Sequence, residues 1–114
     1  MIGKLSQIDQ LSSLLSQSQI RHEVISSNLA NVNTPNYQTK DVSFAEVLMA
    51  ADGQLDKVGE VFEVEGLKSM QNGNNVDMDR ELSNMTKNSL AFQTFSQLMA
   101  NKIGAYRTAI SGRS

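Results

Sequence analysis

Pro35 is the single proline of the chain, and it sits inside Asn28-Leu29-Ala30-Asn31-Val32-Asn33-Thr34-Pro35-Asn36-Tyr37. A long apolar-periodic run arrives at this segment and cannot pass through it as helix. Proline offers no backbone donor and pushes Thr34 away from helical dihedrals, so the helix ends near Val32 or Asn33. Asparagine tolerates left-handed dihedrals and bonds nearby backbone, which suits Asn33 and Asn36 to a cap and turn. Asn28 and Asn31 lie one helical turn apart before the break, where a solvent-facing helix more naturally carries Lys, Glu or Ala. Beside Leu29, this amide pair points to a surface that hydrogen-bonds something specific.

The run before the break predicts a helix from Lys4 to Val32. Its 3–4 spacing picks out Ile8, Leu11, Leu15, Ser18, His22, Ile25, Leu29 and Val32, six of the eight apolar. Ser, Gln, Asp and Glu hold the opposite side, so the helix is amphipathic. The C-terminal third repeats the pattern through Met78, Leu82, Met85, Ser89, Phe92, Ser96, Met99, Ile103, Tyr106 and Ile110. Leu90, Phe95 and Leu98 add a second stripe, wider than one partner helix requires. Asp77 is the expected N-cap, Asp79 and Glu81 put negative charge on the first turn, and Gly112 marks the stop.

Between the helices the pattern breaks up. Val42 to Ala51 is compatible with a short helix capped by Asp41 or Ser43, with Phe44 and Leu48 at i and i+4 seating it on its neighbours. Val58 to Glu65 mixes β-branched and acidic residues and suits a short strand pair or extended loop. Gly66 to Val76, with Asn72-Gly73, reads as mobile. The fold class is therefore mostly α. Two long terminal helices (1–32 and 77–111) form a coiled-coil-like pair around an irregular middle (33–76), within a single domain covering 1–114.

Composition removes most function classes. The net charge is −2, far from the basic balance of a nucleic-acid binder. Residues 1–32 balance, 33–76 carry three lysines against seven acids, and 77–114 carry five basic residues against three acids. With no cysteine, disulfides, thiolate metal sites and cysteine nucleophiles are out. The first residues lack the form of a cleavable secretory signal, and no window approaches a membrane span. His22 lies on the apolar stripe without a second ligand one turn away, so a core or interface role is expected. Asp77-Met-Asp79-Arg-Glu81 opens like a calcium loop, but Leu82 and Asn88 occupy the positions needing Gly and Glu. No phosphate-binding glycine loop or Ser-His-Asp set is present. No catalysis, cofactor, metal or small-molecule substrate is expected. Each terminal helix presents more apolar surface than its fellow can cover, which is the mark of an assembly subunit.

The segment Asn28 to Tyr37 also resembles the N-terminal signature of bacterial flagellar basal-body rod and hook proteins, S/N-N-I/L-A-N-x-x-T-P-G-Y/F. It departs at Asn36, where the signature has glycine, and asparagine is the common substitute at a positive φ. Lys40-Asp41-Val42-Ser43-Phe44 resembles the continuation of that turn. Val76-Asp-Met-Asp-Arg-Glu81, Asn88-Ser-Leu-Ala-Phe92-Gln and Tyr106-Arg-Thr-Ala-Ile110 resemble the C-terminal pattern of proximal rod members. Distal rod and hook members carry inserted domains for which 114 residues leave no room.

The resemblance implies a structural subunit of the proximal rod, in the periplasmic part of the basal body, assembling through its terminal helices into a torque-transmitting tube. It implies export through the flagellar type III apparatus without a cleaved signal, with Phe44 and Leu48 recognised at the export gate. Other rod proteins, a base-side adaptor and further copies of the chain are the implied partners. Candidate subunit-interface residues are Leu15, Ile25, Asn28, Leu29, Asn31 and Thr34 at the N-terminal end. Leu82, Met85, Phe92, Met99, Ile103 and Tyr106 are their counterparts on the other helix. A soluble coiled-coil adaptor or export chaperone is the alternative, distinguished by being a stable folded dimer on its own.

Overall fold

The computed structural model describes residues 2–43 and 60–112. Helix α1 spans Ile2–Ala30, strands β1 (Lys40–Ser43) and β2 (Glu60–Glu63) form an antiparallel pair, and helix α2 spans Met78–Ser111. The 3.6-residue periodicity fixed both helices to within two residues of their expected ends. Asp77 caps α2 as its sequence position predicts, its carboxylate accepting from the backbone N–H groups of Asp79 and Arg80. At the far end Gly112 adopts φ 70° and its N–H returns to the carbonyls of Ala109 and Thr108. Helix α1 ends before Pro35 through tightening turns: Asn31 N–H reaches both Ser27 and Asn28 carbonyls, and Thr34 N–H reaches Asn31. Asn36 takes φ 64°, the left-handed value that the turn demands.

The two helices pack together as an antiparallel pair, shown by links from Asn28 to Glu81 and from Asn88 to Ser18. β1 lies against α1, and its register with β2 pairs Lys40 with Glu63 and Ser43 with Glu60. The molecule measures 65 × 25 × 17 Å, with a radius of gyration of 18.1 Å. A compact chain of this length would have a radius near 13 Å, so the shape follows the helices rather than a globule.

Three expectations change. Val42 and Ser43 belong to β1 rather than to a short helix, because Val42 turns inward and is 4% exposed, while the strand pairs with β2. The segment before α2 is not mobile at its end: Asn74, Asn75 and Val76 are buried, Asn74 and Asn75 are bonded to the chain that follows α1, and Val76 N–H donates to Asn74 Oδ1. The side of α2 turned towards α1 is also rotated from the expected stripe. Its least exposed positions are Arg80, Glu81, Asn84, Met85, Asn88, Ala91, Phe95, Ser96, Met99, Lys102 and Tyr106, so Met85, Ser96, Met99 and Tyr106 of the expected stripe stay inward while Leu82, Phe92 and Ile103 are exposed. With two apolar stripes side by side, hydrophobic periodicity alone could not choose between them; polar Glu81 and Asn88 decide the matter by turning inward.

Candidate assembly site

The interior is built from amides. Only Ile25, Val42 and Val76 are buried apolar residues among those described, against Ser18, Asn28, Thr39, Asn74, Asn75, Glu81 and Asn88. A buried polar group is tolerable only when its bonds are made, and no described buried side-chain nitrogen or oxygen lacks a partner.

Asn28 is the centre of this network. Its Nδ2 donates to the Lys40 carbonyl (2.8 Å) and to Glu81 Oε2 (3.1 Å). Its Oδ1 accepts from Lys40 N–H (3.0 Å) and the Tyr37 hydroxyl (2.9 Å). All four bonds of the amide are thus filled, and one side chain ties α1 to β1 and α2. Because the Tyr37 proton goes to Asn28, the Ser27 hydroxyl 3.4 Å away must be the donor in its contact with Tyr37. Glu81 is 1% exposed, and its second oxygen accepts from Arg80 Nη1 at 3.0 Å.

A second knot ties the turn to the approach of α2. Asn74 Nδ2 donates to the carbonyls of Asn31 and Thr34, both at 2.7 Å, capping groups that the end of α1 leaves open. Asn75 accepts from Thr39 N–H (2.6 Å) and donates to Gln38 Oε1 (2.9 Å), and Gln38 in turn donates to the Gly73 carbonyl. Gly73 holds φ 82°, and a Cβ there would run into the Asn36 side chain. Further along the helix pair, Asn88 donates to the Ser18 carbonyl at 2.8 Å, which the small serine at that position permits.

The predicted site residues fall into three groups. Asn28 and Ile25 are buried inside the chain, where Asn28 spends every bond on its own fold. Asn31 is half-buried and pairs locally, donating to the Ser27 carbonyl and accepting from the Thr34 hydroxyl. Leu15, Leu29, Met85, Met99 and Tyr106 are half-buried, whereas Leu82, Phe92 and Ile103 are exposed. Those three join Met78, Leu90, Leu98 and Ile110 as large exposed apolar side chains along α2. Phe44 and Leu48 lie outside the described residues. His22 is exposed rather than in a core, beside Ser18, Asn88 and Phe92 in a shallow groove. Asn74, Asn75, Asn88 and Glu81 are the residues that sequence reasoning missed. Asparagine beside glycine is the ordinary signature of a loop, and acids in a first turn are ordinarily solvated.

Among the described residues no three His, Asp or Glu side chains gather into a cation site, and no helix is long and apolar enough to cross a membrane. Residues 9–38, which hold α1 and the bonded turn, match the family described as flagella basal body rod protein. The flagellar basal body rod protein FlgB of Bacillus subtilis is 31% identical over 92% of this chain and 93% of its own length. Its counterpart from Aquifex aeolicus is 34% identical over 82% and 84%, and that of Aeromonas hydrophila 33% over 81% and 83%. The chain belongs to the FlgB family of flagellar basal body rod proteins. That family is structural rather than enzymatic.

Proposed function

We propose that the chain is a structural subunit of the proximal rod, completing its helices against neighbouring subunits in a helical tube that carries torque across the periplasm. The observation carrying this reading is the number of large apolar side chains that α2 leaves exposed around its surface, Leu82, Leu90, Phe92, Leu98 and Ile103, on a chain that belongs to a rod family. Apolar side chains exposed on several sides of one helix call for more than one neighbour. The amide junction supports the role from within, because directional bonds hold the two helices at one angle and register while those side chains engage their neighbours. Other rod proteins lie beyond the subunit and an adaptor on its base side. Passage through the flagellar type III apparatus precedes assembly, with Phe44 and Leu48 read at the export gate.

The test is complementation of a strain lacking the gene. Leu82→Ser with Phe92→Ser leaves the helix content of the isolated chain unchanged and removes rods and swimming; normal basal bodies with this variant overturn the reading. Phe44→Ala lowers secretion while purified protein assembles as before, and unchanged secretion removes the export role from that segment.

A further inference from the structure

Where α1, β1 and the first turns of α2 meet, a groove of about 340 Å³ opens between Arg21, Lys40, Asp41, Arg80, Asn84 and Lys87. It holds four cations and two carboxylates, a surplus of two positive charges in a chain whose net charge is −2. Both carboxylates are engaged inside the groove: Asp41 with Arg21 at 3.4 Å, and Glu81 on its floor with Arg80 at 3.0 Å. Lys87 makes no ion pair among the described residues, and the Lys40 ammonium lies 5.7 Å from the centre of the Tyr37 ring. The opposite charge stands on β2 and just beyond it. Glu60, Glu63 and Glu65 are exposed and form no ion pair among the described residues, and Val61 and Phe62 between them are about half exposed. Glu63 faces Lys40 in register, yet the two do not close.

We infer that this basic groove receives the acidic β2 edge of a second copy of the chain. The inference rests on the rod-subunit reading and adds to the exposed apolar side chains of α2 a contact that fixes which copy meets which face. Glu60 neutralises Lys87, Phe62 on the same face of the strand rests against Ala91 on the groove wall, and Glu65 beyond the strand end neutralises Lys40. Two acidic edges repel each other, so the contact runs edge to groove and orders copies in one direction.

The experiment is charge exchange followed by sedimentation. Glu63 stays in place because of its register with Lys40. Wild-type chain self-associates, and the association weakens by about tenfold or more as salt rises towards 1 M, where the Debye length shrinks to about 3 Å. Glu60→Lys loses it, and so does Lys87→Glu, while circular dichroism shows both folded as wild type. An equimolar mixture of the two variants associates again, because positions 60 and 87 once more carry opposite charges while Glu65 keeps Lys40. Variants that associate like wild type, a wild type that stays monomeric, or a mixture that does not recover each overturn the inference. Normal rods in cells carrying either charge variant would remove the groove contact and leave the rod-subunit assignment standing.

Discussion

Asn28 substitutes for a strand. Its amide accepts from Lys40 N–H and donates to the Lys40 carbonyl, as a neighbouring peptide group would, so β1 is paired on one edge by β2 and at its start by a side chain of α1. Asn28→Ala would leave a buried peptide and the Glu81 carboxylate short of partners, a loss of about 3 kcal/mol. It would appear as a lower urea midpoint at unchanged slope. Asn28→Asp costs more, since the donor facing Glu81 becomes a second carboxylate. Two glycines give opposite outcomes. Gly73→Ala meets both a positive φ and the Asn36 side chain, and destabilises by more than about 1 kcal/mol. Gly104→Ala adds a methyl group to open space on a helix and stabilises the isolated chain by up to about 1 kcal/mol. Thermal melts of both variants check the pair. At this scale the sequence was half legible. Asn28 and Asn31 stood out because amides are unusual on a helix one turn apart, whereas Asn74 and Asn75 were disguised by the loop chemistry around them.

The helices were legible as elements and ambiguous as surfaces. Ends and caps follow from Pro35, Asp77 and Gly112 together with the apolar period, whereas the antiparallel direction is shown by the Asn28–Glu81 and Asn88–Ser18 bonds. The rotation of α2 does not, because its two adjoining apolar stripes satisfy the same period and only inward-facing Glu81 and Asn88 identify the side turned to α1. The consequence for mutation is direct. Phe92→Ala and Ile103→Ala remove exposed side chains and shift the stability of the isolated chain by within about 0.5 kcal/mol. Their cost falls on assembly into the rod. Asn88→Leu acts the other way: it deprives the Ser18 carbonyl of its donor inside the helix pair, and lowers the melting temperature of the monomer. Melting and sedimentation on the three variants separate the two faces, and a large monomer effect from Phe92→Ala would show that the assignment of faces is reversed. The β-pair was partly legible: Val58 to Glu65 contained β2, but its partner strand ended inside a stretch whose spacing also suits a helix.

As a whole, the molecule is a 65 Å rod with its bonds concentrated near the junction. Amide exchange should therefore be slowest around residues 25–42 and 74–88 and fastest toward the start of α1 and the end of α2. Uniform protection along both helices at low concentration would mean that the monomer needs no neighbour. Calorimetry offers a second check on the same architecture. Newly exposed apolar surface raises heat capacity and polar surface lowers it, so unfolding should show an increment below about 12 cal/mol/K per residue, under that of ordinary domains.

The scarcity of apolar side chains among the buried residues also bears on what happens when the fold comes apart. Water replaces an amide's partners almost as well as the protein supplies them, so opening the junction releases a segment that stays hydrated and does not clump. A subunit wired this way can lose its shape and regain it repeatedly.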